Sequence, residues 1–409
     1  MFSSERNSIL VGLEIGTAKV CAVVGEVNSE GHIHIIGLGQ APSRGVRKGE
    51  IVDPSMASED VRIAVAEAEQ MADMEIRNVY LAVTGAHMEG FNNRGRHNIA
   101  SADREITEED VQDVVKNAKA VNVSADHEVV HVIRQHFWVD NRPGIPNPVG
   151  MVGAQMEVDV HVVHGNTNRL QNPVHVVRNL QLTVEDVVFS GVASSLAVLT
   201  PQEKEVGALV IDMGAGATEY AVYGDGVIRQ TGVLAVGGDH VSNDLAYGLR
   251  VSMGRAEELK VSQGCAVLDD ADRGRSLNAA NPHGLPERSV KVEHLRRIMS
   301  LRLEETFEII AERLAGEGLL DDLRAGVILC GGGARVPEIE RLAQRVFGCQ
   351  ASIGRTKSIS GLVSTLDQPE FATGIGLVKF GSFQRGPRKV SNGLASRLKS
   401  RLSQMLLRT

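Results

Sequence analysis

The chain has three glycine-rich segments, and the first two combine small residues with an acid and a hydroxyl group. The three segments are residues 12–17 (GLEIGT), 212–218 (DMGAGAT) and 329–334 (LCGGGA), and an apolar stretch leads into each. Glycine lets the backbone approach an anion closely and adopt positive φ, and backbone N–H groups bind phosphate oxygens. The first two segments therefore indicate phosphate binding, and the third allows close backbone approach to a flat nucleoside.

Two acids lie near the ends of the apolar stretches, Glu14 in the first segment and Asp212 in the second. A carboxylate repels phosphate, but it can hold a hydrated Mg²⁺ through water. Asp212 is also the only residue that we name as a candidate general base. One glycine-rich turn alone is more often only a tight turn, whereas three in this order along one chain are more specific.

The segments need elements that hold them. Residues 9–13, 207–212 and 326–329 are predicted to be strands, and the near-continuous apolar run of 207–212 is typical of a buried strand. Residues 20–27, 32–38 and 78–84 predict further strands. Helices are predicted from Asp53 to about 74, over 292–315, 336–347 and 374–380, and over 167–179 with an interruption near Pro173. The segments that end in Glu14 and Asp212 resemble each other, as duplicated halves would.

Residues 86–163 differ in texture and predict a small inserted α+β subdomain. A helix begins at Thr107, strands cover 127–139 and 155–163, and Pro143, Pro146 and Pro148 mark a loop. Residues 269–288 are polar and predict a surface loop. The histidines of the inserted stretch are expected to be structural rather than metal ligands: His127, His131, His136, His161 and His164.

Composition limits the function classes. The net charge of -8 argues against a nucleic-acid-binding surface over the whole molecule. The four cysteines are far apart and predict isolated thiols in a reducing compartment. The sequence shows no signal peptide and no run of about 20 apolar residues. A cytoplasmic protein is therefore expected, unless something attaches it to a membrane surface.

The end of the chain supplies such an attachment. From Arg385 onward there are seven basic residues and no acidic ones. On a helix, an apolar stripe of roughly 120° would form, with basic residues at its edges. The predicted membrane-binding residues are Leu394, Arg397, Leu398, Lys399, Arg401, Leu402, Met405 and Leu406. This pattern favours an in-plane membrane anchor, although a helix docked on the protein's own core or a coiled-coil end also fits it.

The three glycine-rich segments together resemble the actin, Hsp70 and sugar-kinase superfamily, whose fold has two αβ domains around a nucleotide cleft. Within it, segments 10–27, 42–53, 147–163, 189–200 and 344–354 are similar to the FtsA family, and the likeness covers nearly the whole chain. The resemblance implies an α/β actin-like ATPase fold. Its parts would be subdomain 1A (1–85, 164–205 and 362–384), inserted subdomain 1C (86–163), 2A (206–245 and 300–361), 2B (246–299), a linker (385–392) and an amphipathic helix (393–409).

The resemblance also implies site residues for ATP and Mg²⁺. Asp212 would organise magnesium and water. The cofactor-binding residues would be Gly16, Thr17 and Lys19 at the first loop, Gly214 and Gly216 at the second, Gly237 and Gly238 near the phosphates, Glu257 and Lys260 at the ribose and adenine, and Gly332, Gly333 and Arg335 at the nucleoside. By spacing alone, Glu257 and Lys260 are an exposed helical ion pair.

The chain departs from the superfamily pattern at the phosphate loops. Ala215 stands where a third glycine is common, Ala217 where threonine is common, Glu219 in place of aspartate, and Glu14 in place of aspartate, which some FtsA sequences share. A missing hydroxyl and an added methyl should matter most for hydrolysis. ATP binding is therefore expected, with weak or absent turnover.

The resemblance implies a cell-division protein that polymerises on the inner face of the cytoplasmic membrane. It would tether FtsZ filaments there, at the division septum, and help recruit later division proteins. The expected partners are the FtsZ C-terminal peptide, further copies of the chain, other division proteins and anionic membrane lipid, without nucleic acid. The alternatives are a sugar- or acetate-type kinase of the same superfamily and a chaperone-type ATPase, although the chain lacks a chaperone's extra C-terminal β domain.

Overall fold

A computed structural model describes residues 8–101, 103–269, 273–278, 289–361 and 367–384. The strands are β1 Ser8–Ile15, β2 Lys19–Val27, β3 Ile33–Pro42, β4 Val46–Arg47, β5 Glu50–Ile51, β6 Asn78–Val83, β7 Glu89–Asn98, β8 His127–Val139, β9 Arg142–Ile145, β10 Gln155–Asn166, β11 Thr183–Phe189, β12 Ala208–Met213, β13 Thr218–Gly224, β14 Val227–Leu234, β15 Ser276–Asn278, β16 Ser289–Lys291, β17 Gly326–Cys330, β18 Ala351–Ile353 and β19 Ile359–Gly361. The helices are α1 Pro54–Ala72, α2 Glu108–Lys119, α3 Thr167–Asn179, α4 Ser190–Val198, α5 Pro201–Val206, α6 Gly238–Leu249, α7 Met253–Gln263, α8 Val292–Gly316, α9 Ile339–Phe347 and α10 Ala372–Gln384.

Two of the sheets share one plan. A six-stranded sheet has the order β11-β6-β1-β2-β3-β19, and a five-stranded sheet has the order β14-β13-β12-β17-β18. In the first, β1 pairs antiparallel with β2 and parallel with β6. In the second, β12 pairs antiparallel with β13 and parallel with β17. The duplicated halves expected from the sequence are present in this pairing.

Helices α4 and α10 pack closely because small residues line their contacts. A Cβ atom on Gly376 of α10 would lie 1.7 Å from the Ala193 carbonyl oxygen of α4, and one on Gly12 of β1 would lie 2.4 Å from the Gly374 carbonyl oxygen. Helix α10 is therefore pressed against both β1 and α4. This packing holds the start of α10, where Thr373 bonds Asp212, beside the cleft.

Helices α1 and α2 begin at the capping residues that the sequence predicted. Asp53 caps α1 by accepting from the Ser55 and Met56 N–H groups, and Thr107 forms a capping box with Asp110 at α2. The predicted interruption near Pro173 is wrong, because α3 continues through it. The buried face of α3 outweighs the hydrogen bond that proline removes.

The inserted stretch forms a four-stranded sheet, β7-β10-β8-β9, with α2 packed against it. The sequence missed β7 (EGFNNRGRHN), which pairs with β10 over ten residues and places Gly95 under α2. The loop predicted around Pro143 is partly wrong, because Pro143 lies in β9. An edge strand accepts proline, since one side of it needs no ladder hydrogen bond.

Other differences concern short or shifted elements. Strand β19 pairs with β3 of the first sheet, although the sequence grouped it with subdomain 2A, and the proposed limit at 299/300 lies inside α8. Helix α9 begins at Ile339 rather than at 336. In the polar stretch, β15 pairs with β16. The predicted tail and linker, 385–409, lie outside the described residues. Among the described residues, no helix is long and apolar enough to cross a membrane.

Candidate functional site

Two hairpin turns of matching geometry meet at the cleft between the two sheets. In the β1–β2 turn the Gly16 N–H donates to the Lys19 carbonyl at 3.0 Å, and in the β12–β13 turn the Gly214 N–H donates to the Ala217 carbonyl at 2.9 Å. A Cβ atom on either glycine would lie 2.8 Å from that same carbonyl oxygen. Both positions therefore require glycine for the same reason, and Thr17 and Lys19 occupy the places that Ala215 and Ala217 occupy in the second turn.

The two turns are in contact. A Cβ atom on Gly216 would lie 2.4 Å from Thr17 Oγ1. Thr17 Oγ1 also accepts a hydrogen bond from the Gly49 N–H at 2.9 Å. The structure thus brings together five of the predicted residues, which all line one cavity: Gly16, Thr17, Asp212, Gly214 and Gly216.

Three acids line the same cavity: Glu14, Asp212 and Glu219. Asp212 Oδ2 accepts from the Thr373 hydroxyl at 2.8 Å, and Glu219 Oε1 accepts from the Thr84 hydroxyl. Glu14 Oε2 is buried, and among the described residues it has no hydrogen-bond partner. A buried polar atom without a partner requires an explanation, such as a bound ion.

Burial determines the protonation of these acids. It raises the pKa of Glu14 to about 7, with the Lys19 charge opposing this rise and Asp212 adding to it. Burial and the charge of Asp212 raise the pKa of Glu219 to about 8. Burial also raises the pKa of Asp212, against a hydrogen bond from Thr373. Buried carboxyl groups that repel one another, one with an open oxygen, fit a hydrated divalent cation.

Lys19 points away from the cavity that the turns line. Its ammonium donates to the Glu370 carbonyl oxygen at 2.8 Å and lies 4.0 Å from the centroid of the Phe371 ring. Its charge still acts on Glu14 and Asp212. Lys19 therefore contributes positive charge to the cleft from its edge.

The start of α6 packs on the second turn. The Gly238 N–H donates to the Gly214 carbonyl at 3.0 Å, and the Asp239 N–H donates to the Ala215 carbonyl at 2.8 Å. A Cβ atom on Gly237 would lie 2.6 Å from the Gly214 carbonyl oxygen. Gly237 and Gly238 thus lie directly behind the second turn, and the turn satisfies the first N–H groups of the helix.

Glu257 and Lys260 form the ion pair that their spacing predicts, with Lys260 Nζ 2.6 Å from Glu257 Oε2. The pair is not an isolated surface contact. Lys260 Nζ also donates to the Gly238 carbonyl at 3.0 Å, and Ser242 donates to Glu257. The Lys260 side chain is only 15% exposed. The pair therefore links α7 to the beginning of α6 beside the cleft.

The third glycine-rich segment lies behind the second turn. Gly331 has φ of 80°, and a Cβ atom on it would lie 2.4 Å from Asp212 Oδ1. Gly332 has open space where its Cβ would be, whereas a Cβ on Gly333 would lie 2.7 Å from the Met213 Cβ. Arg335 is 62% exposed and pairs with Glu370 at 2.7 Å. The segment thus offers an accessible backbone at Gly332.

Sequence reasoning considered Glu14 for magnesium without placing it among the site residues, and it did not assign a site role to Thr84, Ser190 or Thr373, which also line the cavity. Glu14 had a signal, because it stands two positions before its turn glycine, as Asp212 does. Thr84 ends a predicted strand, which is a weaker signal. Thr373 contacts Asp212 across 161 residues of chain, and nothing in the local sequence indicates that contact.

Two sheets built on one hairpin plan, facing each other across glycine turns and buried acids, define the actin-like fold. Solved structures agree. A chain of the PilM-PilN type IV pilus biogenesis complex superposes with a TM-score of 0.65 at 16% identity, covering 91% of this chain and 98% of that one. MreB5 of Spiroplasma citri bound to ADP superposes with a TM-score of 0.56 at 15% identity, covering 94% and 99%.

Sequence relatives identify the family. The profile described as "Cell division protein FtsA" matches residues 209–376, and "SHS2 domain inserted in FTSA" matches residues 85–164, the inserted sheet. Cell division protein FtsA of Escherichia coli K12 is 37% identical over 388 residues, 93% of this chain and 92% of that protein. The protein of the same name from Borreliella burgdorferi is 36% identical, covering 96% and 97%.

The chain belongs to the FtsA family of cell division proteins. This membership confirms the resemblance and the actin-like fold expected from the sequence. It favours the cell-division interpretation over the small-molecule kinase.

Proposed function

We propose that this chain binds ATP with Mg²⁺ in the cleft between its two glycine turns. The observation that carries the proposal is the convergence of two equivalent turns on one cavity that Glu14 also lines. Within the described part of the chain, Glu14 Oε2 is a buried acceptor without a partner. Backbone N–H groups of Thr17 and Gly216 would bind phosphate oxygens, while the Gly16 and Gly214 N–H groups close the two turns that position them. Bound Mg²⁺ supplies positive charge, and Asp212 with Glu14 would hold its water shell.

The remaining predicted residues surround this position. Gly237 and Gly238 would lie near the phosphates, and Lys19 would add positive charge from the edge of the cleft. Glu257 and Lys260 would lie at the ribose and adenine, and the segment of Gly332, Gly333 and Arg335 would lie at the nucleoside. Solved MreB5 structures are bound to ADP and to AMPPNP, which supports nucleotide binding by this fold.

Weak or absent turnover is part of the proposal. The first turn has a hydroxyl at Thr17 and a charge at Lys19, while the second has methyl groups at the equivalent Ala215 and Ala217. Asp212 remains the only candidate base, and burial raises its pKa. A cleft of this composition suits a protein that responds to bound nucleotide more than one that consumes it.

We further propose that the protein polymerises on the cytoplasmic face of the membrane at the septum and tethers FtsZ there. The C-terminal peptide of FtsZ would dock on the domain that carries α8 and α9, and later division proteins would follow. The tail, with its apolar stripe and basic edges, would bind anionic lipid reversibly. Several tails on one polymer would bind far more tightly, because linked sites raise the effective concentration.

Liposome co-sedimentation with anionic lipid, with and without ATP, tests this function. The full chain should pellet, and a chain ending at Asn392 should stay soluble. A full-length variant with Leu398→Gln and Leu402→Gln keeps the charge of the tail but disrupts the apolar stripe, so it separates insertion from simple charge attraction. If the full chain stays soluble with ATP present, the membrane role fails and ATP consumption with candidate sugars becomes the next assay.

A further inference from the structure

A small basic hairpin lies at the mouth of the cleft. It consists of β4, β5 and the tip between them, residues 46–51, with Arg47 and Lys48 both exposed. The tip residues Lys48 and Gly49 have φ of 52° and 78°. Positive φ at both central residues is the pattern of a type I′ turn, where asparagine and glycine are favoured. Lysine is strained there, and strain of this kind is concentrated at functional sites.

The tip touches both glycine turns. The Gly49 N–H donates to Thr17 Oγ1 in the first turn at 2.9 Å. A Cβ atom on Gly216 of the second turn would lie 2.7 Å from the Lys48 Cα. Any change in the separation of the two turns must therefore move or release the basic hairpin.

The two charges of the tip act on the start of α6. Burial lowers the pKa of His240, and the Lys48 charge lowers it further. Burial raises the pKa of Asp239, and the charges of Lys260 and Arg47 oppose that rise. Arg47 and Lys48 thus add positive potential at the start of α6, beside the second turn.

The base of the basic hairpin is rigid. Val46 is fully buried, and the Gly45 carbonyl accepts from the N–H groups of Val52 and Asp53, the cap of α1. Asp60 of α1, 1% exposed, accepts from the Arg44 N–H at 2.7 Å and from its Nε at 2.8 Å. The tip is therefore held at a defined position over the cleft.

The basic hairpin also touches both connections of the inserted subdomain. At the entry, a Cβ atom on Gly49 would lie 3.0 Å from the Thr84 Cγ2. At the exit, Glu50 pairs with Arg169 at 2.8 Å. Arg169 belongs to α3, which follows β10 without a break. One element therefore contacts the two glycine turns and both chain segments that join the insertion to the first domain.

We propose that the basic hairpin is a phosphate sensor, in which Lys48 binds the terminal phosphate of the nucleotide and the Glu50–Arg169 pair transmits the hairpin position to the inserted subdomain. The proposal rests on nucleotide binding in the cleft. A lysine ammonium is a compact charge that suits a phosphate. Since a ligand shifts a conformation only through differential affinity, a contact with the terminal phosphate would distinguish ATP from ADP.

Nucleotide titration of the full chain with Mg²⁺ tests the sensor. Lys48→Asn removes the ammonium with a residue that tolerates positive φ, Lys48→Arg keeps the charge, and Lys116→Asn removes an exposed lysine on α2 as a control. We expect Lys48→Asn to weaken ATP binding by about 10-fold, as loss of a charge-assisted hydrogen bond does. ADP binding should change by less than about twofold. Lys48→Arg should keep most of the preference for ATP, and Lys116→Asn should leave both affinities unchanged.

The transmission step has a separate readout. In the wild type, ATP should slow amide hydrogen exchange at the start of α3 more than ADP does. Arg169→Gln should keep the wild-type ratio of ATP to ADP affinity and lose that extra protection.

Three outcomes would each contradict a different step of the proposed mechanism. If Lys48→Asn keeps the wild-type ratio of ATP to ADP affinity, the hairpin is not a sensor, although nucleotide binding stands. If Arg169→Gln keeps the extra protection, transmission does not run through Glu50. If the wild type binds neither nucleotide, the proposed cleft function fails and the sensor fails with it.

Discussion

The cleft and one other region both bury polar groups between two parts of the chain, but they differ in the hydrogen bonds that those groups make. The second region, called the seam here, joins the inserted sheet to β14. There Gln135 Nε2 donates to the Ile228 carbonyl at 2.6 Å, and His161 is bonded at both ring nitrogens, to Asn92 and Thr231, at 2.8 Å each. In the cleft, Glu14 Oε2 has no partner among the described residues.

Burial shifts the pKa values of the two regions in opposite directions, for one reason. It disfavours charge, so it lowers the pKa of His161 to about 4 and raises the pKa of Glu14 to about 7. His161 becomes neutral and stays fully paired. Glu14 keeps an acceptor that nothing in the described chain uses. The paired groups of the seam act as a structural joint, while the unpartnered Glu14 oxygen lies in a cavity beside two other buried acids and is a candidate contact for a bound ion.

The largest expected effect is at the seam. His161→Leu would leave the Thr231 hydroxyl and Asn92 Oδ1 without their ring partner at a position where the His161 side chain is fully buried. We expect the free energy of unfolding to fall by about 3 kcal/mol, with nucleotide affinity unchanged. Urea denaturation followed by circular dichroism measures the loss.

His34→Leu is the matched control for this substitution, because His34 is exposed and bonds only Ser360 among the described residues. It should change stability by less than about 0.5 kcal/mol. A loss at His161 no larger than at His34 would mean that the seam is not a joint.

A substitution in the cleft should raise the stability of the protein, whereas the substitution at the seam lowers it. The folded-state pKa of Glu14 is raised, so the stability its neutral form contributes is complete below pH 4.5 and is lost as pH rises through about 7. Glu14→Gln removes that loss. We expect a gain of about 2 kcal/mol at pH 8 that disappears towards pH 4.5, measured by thermal unfolding across this range without Mg²⁺.

Glu30→Gln, in the exposed β2–β3 turn, should show no such rise with pH. The same Glu14 variant should need more Mg²⁺ for nucleotide binding. Stability that falls at pH 8 on Glu14→Gln would show that the carboxylate already has a structural partner.

Local chemistry made much of the frame predictable. The glycine turns could be predicted from the spacing of their residues, and the strands before Glu14 and Asp212 from their apolar runs. Helices α1 and α2 could be predicted from their capping residues. Strand β7 was missed because its residues are mostly polar, and its conformation depends on pairing with β10 and on Gly95 under α2. Pairing of this kind is set by distant sequence, which a local pattern does not contain.

The site divides in the same way. The local sequence was enough to predict the turn residues, because each glycine-rich motif by itself indicates phosphate binding. These residues are Gly16, Thr17, Gly214 and Gly216. Thr373 could not, since its role exists only when α10 is folded against β12. The path of Lys19 towards Glu370 is likewise a product of packing, because its position in the turn alone places it with the phosphates.

The smallest expected effect compares the seam and the cleft most directly, because the same type of substitution, threonine to valine, can be made in both regions. Thr231→Val and Thr84→Val each remove a hydroxyl that bonds a buried titratable side chain. At the seam the fully buried His161 ring would lose the partner of its Nε2 atom, at a cost of about 1.5 kcal/mol.

In the cleft, burial raises the pKa of Glu219 to about 8, so its carboxyl is largely neutral at pH 7. The cavity beside it admits water in place of Thr84, so the cost should be about 0.5 kcal/mol. Paired urea denaturation curves at pH 7 measure both costs. Equal costs would make the cleft a second structural joint, and the unpartnered oxygen of Glu14 would then lose its meaning as the mark of a ligand site.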